Sequence, residues 1–161
     1  MRKKLLSILF LIFELIIAMS SCSGGGDDSK HPDKPTPPVY PIFAKPYWKV
    51  DNISSYEHTM SFAIVLPDSL VAKEQTSDCM AVFSSSECRG VAERIKLSSG
   101  KYVWIGLAYG NSDADKLMVK YYCANTKYMY NSASLTPFRV DGSLGTVDSP
   151  MEVSMKIVTE K

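Results

Sequence analysis

A nucleophile beside a base is the first chemistry to look for, and the chain offers His58 with Cys79 or Cys88. Such a pair needs the thiol held next to the imidazole, on a strained elbow or inside a recognisable signature. Neither thiol sits in one. The other histidine, His31, falls in a proline-rich stretch, so the spacing also fails as a zinc site. Glu57, Glu74, Glu87 and Glu93 are scattered and form no glycosidase dyad. No phosphate-cradling loop or glycine-rich dinucleotide fingerprint is present. Asn111, Ser112, Asp113 and Asp115 offer oxygens to a calcium ion, but without the spacing of a calcium loop, and such residues are good turn formers in their own right. The expectation is a non-enzyme with no metal and no cofactor.

Two groups of side chains remain. Arg89, in Glu87-Cys88-Arg89-Gly90, has the fork geometry to clamp a carboxylate. Its expected role is structural, paired with Asp78 or another acid, while Gly90 lets a backbone or ring come close. Asp78, Cys88, Arg89 and Gly90 are thus a candidate structural set. The second group is aromatic. Val103, Ile105, Leu107 and Tyr109 read as one core face of a strand, which places Tyr102 and Trp104 on the other. Tyr122 lies opposite Leu117, Val119 and Tyr121. If these strands pair, Tyr102, Trp104 and Tyr122 form a solvent-facing platform for a sugar or a protein partner. The alternative is that this face packs on the tether, a loop or a second sheet.

The elements that position these groups are strands. Met60, Phe62, Ile64 and Leu66 alternate, as do Cys79–Phe83, Leu117–Cys123 and Val153–Ile157. Residues 78–95 read as a hairpin, Phe138–Val140 as a short strand, and Leu70–Gln75 as one helical turn at most. About eight short strands at near ten-residue spacing predict an all-β, antiparallel, immunoglobulin-like β-sandwich, with a closed barrel as the alternative. Cys79 and Cys88 lie about 13 Å apart along such a hairpin, too far for a disulfide. Either one with Cys123 works if their strands are neighbours.

The N-terminus has a different grammar. Arg2, Lys3 and Lys4 precede an apolar run from Leu5 to Met19, broken by Ser7 and Glu14. This reads as a signal peptide over residues 1–21. The stretch Met19-Ser20-Ser21-Cys22 resembles the lipobox of bacterial lipoproteins, which implies lipidation of Cys22. Residues 22–46 hold three consecutive glycines and six of the nine prolines, composition for a disordered tether. The folded domain is then residues 47–161. Of 18 basic and 17 acidic residues, loss of Arg2, Lys3, Lys4 and Glu14 leaves 15 and 16. A net charge near −1 gives no footprint for nucleic acid and no polybasic patch for lipid.

Further resemblances follow from particular motifs. Ser23–Asp28 is similar to the surface-export signal of Bacteroidetes lipoproteins, and Asp68-Ser69-Leu70 to their short O-glycosylation pattern, which makes Ser69 a candidate glycan site. Asp78-Cys79-Met80-Ala81-Val82-Phe83 followed by Cys88-Arg89-Gly90-Val91-Ala92 resembles the hairpin of a β-sandwich module of Bacteroidetes surface and secreted proteins. Tyr102–Gly110, Leu117–Cys123, Leu144-Gly145 and Pro150 are similar to its later segments, with Cys123-Ala124 in place of the usual aspartate. Together these imply an outer-membrane lipoprotein facing the cell exterior and held by its N-terminal lipid. It would bind a glycan or surface protein without catalysis, or serve as an assembly subunit of a surface complex.

Overall fold

A computed structural model of the chain describes residues 37–160. The expected signal peptide, Cys22 and most of the expected tether lie outside the described residues. Residues from Pro38 onward form one compact unit.

The unit is nearly all β, and its two sheets are joined mainly by antiparallel pairs. β1 (His58–Val65) leads through a four-residue helix, α1 (Asp68–Val71), to β2 (Cys79–Ser84). β3 (Glu87–Val91), β4 (Glu93–Lys96), β5 (Tyr102–Gly110), β6 (Lys116–Cys123) and β7 (Tyr128–Ser132) follow. Four short strands close the chain: β8 (Thr136–Pro137), β9 (Ser143–Leu144), β10 (Met151–Glu152) and β11 (Met155–Ile157). The first sheet runs β10-β1-β5-β4, with β9 also paired to β1; the second runs β11-β7-β6-β2-β3, with β8 on β6. The expected sandwich is present, with eleven strands rather than about eight. The extra ones are the two-residue β8, β9 and β10, too short to show alternation, and the split of the hairpin's second arm into β3 and β4. Phe138–Val140 is not among them; Phe138 instead buries its ring against Gly110.

The core lies between the sheets. Met60, Phe62, Ile64 and Leu66 enter it from the first, and Met80, Val82, Leu117, Val119, Tyr121 and Cys123 from the second. Each such apolar side chain contributes about 1.5–3 kcal/mol by leaving water. The alternation of β5 runs opposite to the expected phase. Residues opposite one another in a sheet share a face. Met60, Phe62 and Ile64 stand opposite Ala108, Gly106 and Trp104, so those three point inward, while Leu107 is 46% exposed. Glycine and alanine take the inner positions because the Phe62 ring fills the space: a Cβ on Gly106 would come 2.5 Å from Phe62 Cζ.

The hairpin β2–β3 turns at Ser85-Ser86, with Ser85 at φ 55°. Its chain then passes through Ala92 from the second sheet into β4 of the first, closing one side of the sandwich. The outer face of the second sheet is covered too. Trp48 packs edge-on against Phe83 there, with ring centroids 5.6 Å apart. Tyr40 packs likewise at 5.7 Å on Tyr128, which stands opposite Cys123 on the inner face, and the Phe43 amide donates to the Lys127 carbonyl, so residues 40–43 hold the β6–β7 end of the sheet. The folded unit therefore starts at Pro38, ahead of the expected boundary at Tyr47. Residues 38–46 do not behave as a disordered tether, because side chains between their prolines have a sheet to pack on.

Candidate functional site

Three segments meet at the end of the sandwich where β1 runs into α1. They are α1 with the turn after it, the β4–β5 turn (residues 97–101) and the loop through Val147–Glu152. Between them lies a cleft of about 670 Å³, within the size range of ligand sites. Val65, Leu66, Val71, Leu97 and Val147 give it aliphatic walls, and Asp68, Lys101, Asp148 and Glu152 a charged rim.

One polar cluster organises the wall. The Glu74 carboxylate is nearly buried, its side chain 5% exposed. It accepts from Arg94 Nε and from Trp104 Nε1, both at 2.9 Å. The Arg94 guanidinium lies over the Tyr102 ring, 3.4 Å from its centroid. The register forces this, since Arg94 stands opposite Trp104 and Lys96 opposite Tyr102 on the inward face. A buried ion pair whose charges are also hydrogen-bonded fixes orientation more than it adds stability. It locks the wall of the cleft and caps the Trp104 indole. The sequence shows Glu74 only as one of several scattered acids and gives Arg94 no role. The parity of Arg94 with Trp104 was the available signal, and it was masked by the inverted phase of β5.

The expected aromatic platform does not form. Trp104 is 2% exposed and belongs to the core. Tyr122, 4% exposed, lies on β6 of the second sheet, next to Cys79 on the face that the 38–50 segment covers. Tyr102 alone lines the cleft, and Arg94 takes a face of its ring. Two physical reasons combine: in β5 the face read as outward is the inner one, and Tyr122, outward on β6 as expected, is covered.

Arg89 and Asp78 are both structural, but they are not each other's partner. β2 and β3 lose register where Gly90 faces Val82 and Cys88 faces Phe83, so Arg89 is the extra residue of a bulge. A bulge re-aims a side chain. Here it sends the guanidinium beneath Tyr56, 4.6 Å from the ring centroid. Nη1 donates to the Tyr109 carbonyl at 3.3 Å and lies 3.6 Å from Asp115; the buried Nε is 3.1 Å from Glu87 but off the line of a hydrogen bond. The Tyr56 hydroxyl donates to Glu87 at 2.6 Å and completes the ring of contacts. Asp78 is buried elsewhere and accepts from Gln75 N at 2.8 Å, Ala124 N at 2.7 Å and the Tyr121 hydroxyl. Gly90 does what its type implied: a Cβ there would meet the Leu107 carbonyl oxygen at 2.1 Å.

His58 is on the first sheet, Cys79 and Cys88 on the second, so topology supplies no thiol–imidazole pair. Burial pushes both thiols up, the opposite of an activated nucleophile. Cys79, Cys88 and Cys123 are free. β2 and β6 are neighbours, but Cys79 stands opposite Tyr122, so Cys123 projects to the other face and cannot reach it. Asn111 Oδ1 accepts from Glu57 N and Asp113 Oδ1 from Val140 N, so that loop's oxygens serve the fold. No cluster of three metal-ligating residues occurs among the described residues. Ser69 is exposed in α1, between the rim residue Asp68 and the buried Leu70.

Comparison with protein-family models, curated proteins and solved structures finds no match. The functional reading rests on this geometry and on the sequence motifs.

Proposed function

We propose that this chain is a non-catalytic lipoprotein of the bacterial outer membrane, facing the cell exterior, that binds a partner in the cleft at the α1 end. The sequence pattern through Cys22 supports its place, and Ser69 keeps its candidacy for O-glycosylation there. The cleft supports binding: a concave site on three loops, carried by a rigid sandwich, is where ligand contacts collect. Of the two ligand classes, a segment of a surface protein suits the cleft better than a glycan. Its walls are aliphatic, and the one aromatic ring in it already carries Arg94. Service as an assembly subunit through sheet edges has less support. The edge strands β10, β4, β11 and β3 are two to five residues long and carry Glu152, Glu93, Lys96, Lys156 and Glu87, a common guard against strand addition.

The test uses the full chain purified with its lipid in detergent, probed against a peptide array and a glycan array. Val71 and Val147 are 48% and 41% exposed on the cleft wall, so Val71→Asp/Val147→Asp leaves the core intact. Peptide binding that falls at least about tenfold in the variant is expected. Glycan binding lost in the variant keeps the cleft and changes the ligand class. Binding that is indifferent to the substitutions removes the cleft as the site.

A further inference from the structure

The three most exposed large apolar side chains among the described residues are Val39 (92%), Tyr47 (91%) and Ile42 (58%). They fall within nine residues of one another, on the segment that covers the second sheet. That segment is held in place. Tyr40 and Trp48 point inward onto Tyr128 and Phe83, and the Phe43 amide is bonded to Lys127. Pro41 and Pro46 keep it extended, so residues between the inward anchors must face out. The outward face is nevertheless apolar, with exposed Lys45 and Lys49 among the apolar side chains. Single exposed apolar residues need no explanation, but three of the most exposed on one short held segment point to an interaction surface.

The position of this strap in the chain says what covers it. Pro38 begins the compact unit, and the expected lipidated residue is Cys22. The stretch between them spans at most about 55 Å at ~3.5 Å per residue. The strap is thus the first part of the unit to follow the anchor. We infer that residues 39–49 form a lipid-contact surface: Val39, Ile42 and Tyr47 enter the interfacial layer, and Lys45 and Lys49 stay at the level of the phosphates. Tyrosine and lysine suit that depth, since each has an apolar body and a polar tip. An acyl anchor holds the chain at the membrane; a second contact fixes which way the domain faces. This rests on the anchored-lipoprotein reading above.

The test removes the lipid so that the strap acts alone. The chain over residues 22–161 with Cys22→Ser holds the whole compact unit. It is floated with vesicles of phosphatidylethanolamine and phosphatidylglycerol, alongside Val39→Ser/Ile42→Ser/Tyr47→Ser. All three sites are exposed, so an unchanged urea midpoint certifies the fold. The unsubstituted strap is expected to float, and the triple variant to partition at least about tenfold less. Equal flotation, or none with the unsubstituted strap, overturns the inference. So does a dimer in sedimentation that the triple variant abolishes, which assigns the patch to a second copy. Mass measurement of the native chain is independent: an unmodified Cys22 removes the anchor reading, while flotation still decides the strap.

Discussion

Asp78 holds three donors that come from three places in the sequence: Gln75 N, Ala124 N and the Tyr121 hydroxyl. It ties the end of β6 to the turn that precedes β2. Asp78→Ala leaves the buried Tyr121 hydroxyl and two part-buried amides without this partner, and a loss of about 2 kcal/mol is expected in urea unfolding. Tyr121 carries a pH signature. Burial, and then its bond to the Asp78 carboxylate, push the phenol up from the ordinary tyrosine value. The folded chain keeps that proton while the unfolded chain releases it near pH 10. The stabilisation is therefore complete below about pH 10 and declines above it by about 1.4 kcal/mol per pH unit. Tyr56 and Tyr130 are raised in the same sense, so the alkaline slope is shared. Above about pH 10 unfolding free energies should fall less steeply in Tyr121→Phe, by a difference that approaches one proton; an unchanged slope there would remove Tyr121 from the account. That Asp78 and Arg89 would each take polar partners was legible from their types and setting. That they serve separate networks was not, because a single inserted residue at Arg89 turns its side chain away, and nothing in the local pattern marks the insertion.

At the level of elements, β3 and β5 approach so closely that two glycines decide whether the sandwich closes. A Cβ on Gly90 meets a backbone oxygen of Leu107, and one on Gly106 meets the Val91 oxygen at 2.8 Å as well as the Phe62 ring. Backbone cannot swing aside as a side chain does. Gly90→Ala should cost about 3 kcal/mol or more, as overpacking without relief does. Gly100 gives the contrast: it sits at φ +86° with open space around it, so Gly100→Ala should cost about 1 kcal/mol from backbone strain alone. Equal urea midpoints for the two variants would mean that the sheets separate easily at this crossing. The strands themselves were legible from period-two alternation, and β1 and β6 in the correct phase. β5 was not, because it is apolar on both faces. The inner face was betrayed by its smallest residues, Gly106 and Ala108, which leave room for Phe62 and Met60 from the partner strand.

For the molecule as a whole, the question is where folding begins along the chain. Prolines at 38, 41 and 46 read as a tether because they remove ladder hydrogen bonds and block helix. They do not stop the side chains between them from packing, and a proline-fixed extended segment loses less entropy on docking than a flexible one. Tyr40 and Phe43 dock in this way on the β6–β7 end of the second sheet, and Trp48, just beyond them, on its outer face. Phe83 and Tyr122 point away from the core yet are 6% and 4% exposed, so the sheet is apolar on both sides. That second apolar face made β2 and β6 easy to find and their surroundings hard to read, since alternation reports which residues share a face and says nothing of what covers it. A chain beginning at Tyr47 loses the half-buried Tyr40 and Phe43 and their purchase on Tyr128 and Lys127. At partial burial these two residues contribute about 2 kcal/mol together. Chains starting at Pro38 and at Tyr47 should therefore differ by about that amount in urea, with a larger m-value for the longer chain because it hides more surface. Coincident unfolding curves would return residues 38–46 to the tether and with them the ordered strap on which lipid contact depends.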